Sequence, residues 1–456
     1  MLFNSYAFLL VFLPAAILAY GLVDAHPRLR TWVLIVLSLI FYAYWDVRFL
    51  PLMAGSILVN WWAAILYTST KRHAIITAAI AGNLLVLAIF KYNNFFAENF
   101  SALLNVKIDP LSVALPLGIS FFTFHHIMYL VDLGRGKAPA FPLDRYALYI
   151  CFFPQVLAGP LVRWHEVIHQ FGKAIFVPGW EARFALGLTF IVVGLAQKVF
   201  LGDGLATNVN SFYERASMGD IGQFEAWLCV VSFSFQIFFD FSGYTDIAIG
   251  VALLFGVELP PNFNSPYRAT SVREFWRRWH MTLSRFLRDY LYVPLGGNRH
   301  GLPRQVVALL LTMGLGGLWH GAGWLFIVWG LLHGIALAAD LIWRHYGLRM
   351  PSALGWAATF LFVTIAWVFF RAPSLEMAIR VLEALVTGGP SSSHQGWRIL
   401  AIAAVCAILL PSSQVICRKL AAEPRWSVAL ALSAVSAAIM VGLGSDRTYE
   451  FIYFQF

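Results

Sequence analysis

The chain has 456 residues, of which 60% are hydrophobic and only 12% charged, with a net charge of +9 and a mean hydropathy of +0.71. Soluble proteins carry about 25% charged residues, so this composition excludes an ordinary soluble enzyme and places the chain in a membrane. Seventeen Trp and seventeen Tyr suit aromatic belts at the two interfaces.

In chain order, apolar stretches approach the about 20 residues that a helical span requires. They fall at 6–23, 31–45, 48–68, 74–91, 113–131, 144–159, 181–201, 224–257, 305–318, 322–341, 352–370, 398–412 and 426–444. This predicts an all-α polytopic membrane protein of about 11 to 13 segments, with 224–257 read as one long helix or two short ones. The first stretch has no Lys or Arg before it and no clean small-residue cleavage site. It reads as a membrane helix kinked at Pro14, not as a signal peptide. Leu115-Pro116-Leu117-Gly118 and the stretch 153–160 interrupt their segments. Non-helical backbone at membrane depth needs protein or water around it, so these breaks predict a cavity or re-entrant element, with an interfacial loop as the plain alternative.

Lys and Arg set orientation. Arg28, Arg30, Lys71 and Arg72 predict cytoplasmic loops, while 92–112 is nearly neutral, so the N-terminus is expected outside. The largest basic block, 268–304, holds eight arginines against Glu274 and Asp289 and is expected to be cytoplasmic. Its charge is assigned to the membrane surface and to an anionic ligand, and no nucleic-acid partner is expected. No soluble domain, linker or internal repeat divides the chain. The four cysteines are scattered, so no metal or disulfide role follows. No HExxH or other metal spacing and no GxSxG elbow occurs, leaving metal hydrolysis and a self-contained serine hydrolase without support.

Within 272–290, spacings of three and four put Arg273, Arg277, His280, Ser284 and Arg288 on one face of a predicted amphipathic helix. Val272, Trp276, Trp279, Leu283, Phe286 and Tyr290 form the other. Such a helix anchors on anionic lipid, and its forked guanidiniums, Arg278 included, also suit a phosphate-bearing donor. Asp240 and Asp246 are carboxylates in an apolar setting that need partners: an ion pair or cap, or an orienting role. His125 and His126 follow a Phe-rich segment and read as packed histidines before cavity-lining ones. Forty residues after His280, His320 stands between Trp319 and Gly321 in a long apolar stretch. An ionisable group there is a functional candidate by default. His333, thirteen residues on, shares its face if the helix is continuous, and then supports it.

These motifs carry a resemblance. Phe41-Tyr42-Ala43-Tyr44-Trp45-Asp46, Phe90-Lys91-Tyr92, the stretches 115–121 and 153–160, Asp240-Phe241-Ser242-Gly243-Tyr244, 274–283, 291–298, Gly316-Gly317-Leu318-Trp319-His320-Gly321 and 451–456 resemble the membrane-bound O-acyltransferase family, in its bacterial alginate O-acetyltransferase branch. The resemblance implies a ring of membrane helices around a thinned centre, with funnels from both faces. It also implies a catalytic role for His320, with His280 as the second family histidine. Arg273, Arg277, Arg278, Ser284, Arg288, Trp276 and Trp319 would bind the donor, and Asp240, Asp246 and His333 would support. No bound cofactor is expected. The implied donor is acetyl-CoA, the acceptor an extracytoplasmic polysaccharide such as alginate, and the partner a periplasmic SGNH-hydrolase-like transferase, since no outer domain with a nucleophile is evident. Peptidoglycan or cellulose O-acetylation and D-alanyl transfer are alternatives on the same fold. A transporter or lipid scramblase is the alternative of another class.

Overall fold

The computed structural model describes residues 1–109, 114–157, 159–219, 221–389, 396–422, 425–444 and 451–452. Among them the regular structure is helical, with one isolated bridge between Gly222 and Gly389. Eight helices are long and apolar enough to cross a bilayer: Val47–Thr70, His73–Leu104, Trp180–Ser217, Gln223–Leu254, Gly301–His320, Trp324–His345, Ser352–Arg371 and Trp426–Leu443. Trp397–Leu409 and Ser413–Ala422 add a ninth if that pair, bent by 76°, is one span. The all-α polytopic reading holds. The segment at 224–257 forms one helix, and other apolar stretches become short ones, such as Ile119–Gly134 and Leu143–Cys151. Pro14 sits in the first turn of Leu13–Leu22, directly after the π-helical Ala7–Phe12, so the predicted kink is a change of helical register. Residues 110–112 of the predicted outer loop, Val113, Ala158 and residues 453–456 of the terminal motif lie outside the described residues.

The described residues group into two compact units. The first comprises Met1–Val192, Tyr244–Pro260 and Cys417–Arg425. Its core includes a cluster of Phe3, Phe8, Phe12, Phe41 and Phe153 with ring centroids 4.8–5.9 Å apart. The predicted break beginning at Phe153 is buried here. Phe152 leaves the helix, the Phe153 N–H donates to Ser38 Oγ (3.1 Å), and the Gln155 amide donates to the Tyr149 carbonyl (2.6 Å). The second break packs on it. Gly118 has φ +74°, and a Cβ there would overlap the Val156 carbonyl oxygen. Protein therefore covers Pro116 and Leu117 and the described part of 153–160, while Leu115 stays exposed.

The second unit comprises Val193–Gly243, Pro261–Ile416 and Trp426–Phe456. Its helices Gly301–His320 and Trp324–His345 form a tight hairpin, because a Cβ at Gly317 would overlap the Phe326 carbonyl and one at Gly330 the Met313 carbonyl. Close backbone approach through small residues is a common way for membrane helices to associate. The same unit buries Lys198 between Asp203 and Asp240, each 2.6 Å from its Nζ.

Candidate functional site

The hairpin places the first histidine. His320 is the last residue of Gly301–His320, and Gly321 leaves the helix in an extended conformation. The imidazole is buried, edge-on to Trp329 (5.1 Å) and Phe370 (5.5 Å), with the Trp319 ring 4.8 Å away.

His280 arrives by a different route. The stretch 272–290 is not one helix, which corrects the shared-face expectation. Val272–Arg278 is capped by Ser271, whose hydroxyl accepts from the Glu274 N–H, and it ends at the extended Trp279. His280 then takes the left-handed conformation (φ 40°), and Met281–Leu287 restarts the helix. The physical reason is a partner that replaces the lost helical bonds. Asn262 accepts the Met281 N–H on its backbone carbonyl (2.9 Å), and its side-chain oxygen accepts from the Thr282 N–H (3.3 Å) and Thr282 hydroxyl (2.9 Å). The break turns His280 inward, wholly buried, while Arg273, Arg277 and Arg288 stay exposed.

The same Asn262 oxygen lies 3.1 Å from His280 Nδ1. A carbonyl oxygen only accepts, so the proton sits on Nδ1 and Nε2 keeps its lone pair. Among the described residues Nε2 has no hydrogen-bond partner. Burial pushes the pKa of His280 down to about 3, so the ring is neutral near pH 7. Phe241 stands edge-on to it at 4.7 Å, and Trp319 reaches both histidines, 6.5 Å from His280 and 4.8 Å from His320.

His333 is also drawn in, although the helix from His320 is interrupted at Gly321–Gly323 and continuity does not bring it there. It returns on the antiparallel helix, where the Trp276 indole N–H donates to its Nδ1 (3.2 Å) and Trp329 lies 4.9 Å away. Trp276, His333, Trp329 and His320 thus form a column of rings from the arginine-bearing helix to His320. At its outer end, partial burial and the charges of Arg344 and Arg277 lower the pKa of Arg273, opposed by Asp340, which pairs with Arg344 (2.9 Å).

The remaining predicted residues divide. Arg278 is tied to Glu274 (2.7 Å) and Arg288 to Asp289 (2.7 Å), leaving Arg273 and Arg277 as the arginines more open to a ligand. Ser284 supports the break: its N–H donates to the His280 carbonyl (2.9 Å) and its hydroxyl to that of Trp279 (3.3 Å). Asp240 takes the ion-pair role with Lys198 and also accepts the Ile452 N–H (2.8 Å). Asp246 is buried in the first unit. So are His125 and His126. His126 is packed and bonded on both ring nitrogens, to Tyr146 (2.6 Å) and Ser56 (3.2 Å). Sequence reasoning missed Asn262, Trp329 and Phe370. The Pro260-Pro261-Asn262 run is a signal for irregular backbone, but nothing local ties it to His280. No cluster of three or more His, Cys, Asp or Glu able to hold a metal occurs among the described residues.

Comparison with known proteins follows this geometry. Residues 107–379 match the family model described as MBOAT, membrane-bound O-acyltransferase family. The chain is 39% identical over 435 residues to a Helicobacter pylori protein named peptidoglycan O-acetyltransferase, covering 86% of this chain and 81% of that one. It is 39% identical over 406 residues to the probable alginate O-acetylase AlgI of Pseudomonas aeruginosa, covering 85% and 75%. A teichoic acid D-alanyltransferase of Bacillus subtilis is 28% identical over 274 residues, 56% of this chain and 68% of that one.

Proposed function

The chain belongs to the membrane-bound O-acyltransferase family and is a multi-pass membrane enzyme, an O-acyltransferase; from this premise we propose that it moves an acetyl group from cytoplasmic acetyl-CoA to an extracytoplasmic polysaccharide, with His320 as its base. The transporter and scramblase alternatives drop away with the family. Two of the relatives above are named for acetylating peptidoglycan and alginate, which supports a glycan acceptor. The observation that carries the reading is the column of rings from the Arg273 and Arg277 face to the buried His320.

In this reading the 268–304 face is cytoplasmic in the bacterial inner membrane and the N-terminus lies outside. The phosphates of the donor meet Arg273 and Arg277, whose forked donors suit phosphate oxygens. The acetyl thioester reaches His320, with Trp319 and Trp329 walling out water. A neutral His320 takes the proton of the attacking hydroxyl as its oxygen bonds to the thioester carbonyl carbon. The C–S bond then breaks, and the departing CoA thiolate takes that proton. His280, fixed by Asn262, keeps a neutral acceptor nitrogen on Nε2 and positions the donor. The hydroxyl belongs either to the glycan or to a periplasmic SGNH-like partner that relays the acetyl group.

The test uses purified detergent-solubilised protein with labelled acetyl-CoA, wild type beside His320→Ala. CoA release and label on a glycan or added partner are followed together. Loss of both in a variant with an unchanged gel-filtration profile supports the reading. Equal turnover in both proteins removes His320 from the chemistry.

A further inference from the structure

The second unit holds a cavity that the chemistry above does not use. It has a volume of about 130 Å³ and is lined by Thr207, Asn208, Ser211, Phe212, Arg215 and Glu225 among others. It opens between the end of Trp180–Ser217 and the start of Gln223–Leu254. Its position is given by one helix. Near the start of Ser352–Arg371, the Trp356 indole N–H donates to the Tyr267 carbonyl (2.9 Å), beside the arginine-rich segment. At its end, Arg371 donates to Asn210 (3.0 Å) and lies 4.7 Å over the Tyr213 ring, on the same helix that lines the cavity. The helix from Trp356 to Arg371 spans about 22 Å, most of a bilayer core. The helix bearing the cavity's residues therefore meets the far end of Ser352–Arg371 from the arginine-rich segment. If that segment faces the cytoplasm, the cavity opens outside.

Its lining reads as a site for a neutral polar ring. Arg215 and the buried Glu225 are 3.5 Å apart, so one positive and one negative charge offset each other in the wall. Thr207, Ser211 and Asn208 add groups that both donate and accept. Phe212 supplies an aromatic surface. Arg215 Nε is buried and makes no hydrogen bond among the described residues. Such a buried donor is costly unless something accepts from it, and a ligand hydroxyl would. With Arg215 already paired to Glu225, the wall offers an anion no unopposed positive charge. The volume is below the roughly 300–1,000 Å³ of sites for drug-sized ligands, so it fits one ring of a longer chain.

We propose that this cavity is a subsite for one neutral sugar unit of the acceptor glycan, and that it selects neutral sugars over uronates. The proposal rests on the acyl-transfer reading for its role and on the cavity alone for its binding. It is tested by saturation-transfer NMR on the full chain in detergent, with N,N'-diacetylchitobiose, an oligouronate and inorganic phosphate as probes. Transfer to the disaccharide, at least tenfold weaker transfer to the oligouronate and none to phosphate is the expected pattern. Ser211→Leu, which fills the cavity, should abolish the signal, and Glu225→Gln should weaken binding roughly tenfold. Thr207→Leu at the exposed rim tests the same space with little risk to folding. A disaccharide signal unchanged in both Leu variants, or preference for oligouronate or phosphate, overturns the proposal. Acetyl-CoA cleavage by the wild type is measured in parallel. Its absence sinks the acyl-transfer reading while the NMR still decides the cavity.

Discussion

His126 and His280 are both wholly buried, yet their surroundings differ in kind. His126 in the first unit is bonded on both ring nitrogens, by Tyr146 and Ser56, and sits in a regular helix. His280 in the second unit sits in a left-handed break, with Nδ1 fixed by Asn262 and Nε2 without a hydrogen bond among the described residues. Burial alone does not nominate a functional histidine. A saturated imidazole has nothing left to offer a substrate. One held by a single rigid partner, with backbone strain maintained around it, keeps an acceptor ready.

Four measurements break or sharpen this contrast. The largest effect is expected from paired substitutions. His320→Gln should lower acetyl turnover by roughly 10²–10⁴, the usual range for losing a general base, while His126→Gln should leave turnover within a few-fold and lower only the melting temperature. Comparable losses in both would erase the distinction between the two regions. Next comes Asn262→Ala, which strips one acceptor from His280, the Thr282 N–H and the Thr282 hydroxyl. A stability loss of about 1–3 kcal/mol is expected, with a fall in kcat, read by thermal melting and steady-state kinetics. A variant as stable and active as wild type would show that the break does not depend on Asn262.

The third is a pH effect. Folding moves the His280 pKa from 6.5 down to about 3, so between these values the unfolded chain binds a proton that the folded chain does not. Stability therefore falls as pH drops from about 6.5 toward 3, and His280 contributes no slope above that window. Melting curves of wild type and His280→Phe should diverge in their pH slope only on the acid side. The smallest effect belongs to the surface. Arg277→Ala should raise the KM for acetyl-CoA by up to about fivefold at low salt and less at high salt, since exposed charges contribute about 0.2–1 kcal/mol and are screened. A KM that ignores both the substitution and the salt would remove this face from donor binding.

The helical membrane character was legible because it follows from composition and local periodicity. So were the breaks after Leu115 and around Pro154, where Pro and Gly deny the helix its bonds. The isolation of His320 among Gly and Trp was also visible, since an ionisable residue in an apolar run stands out at once. The reading of 272–290 failed for a physical reason. Its spacing fits an amphipathic helix, and only the competing acceptors on Asn262, eighteen to twenty residues before the groups they bond, make the left-handed turn at His280 cheaper than another helical turn.

The sequence by itself determined that the chain is a helical membrane protein, where its irregular segments lie and that His320 interrupts a long apolar run. These are properties of a residue and its near neighbours. Tertiary structure alone decided that His280 points inward while Arg273 and Arg277 stay out, and that His333 returns beside Trp276 on an antiparallel helix. It also decided that Asp240 is committed to Lys198. Each depends on a partner distant in sequence, and a buried polar group takes its role from whichever partner the packing brings within hydrogen-bond reach.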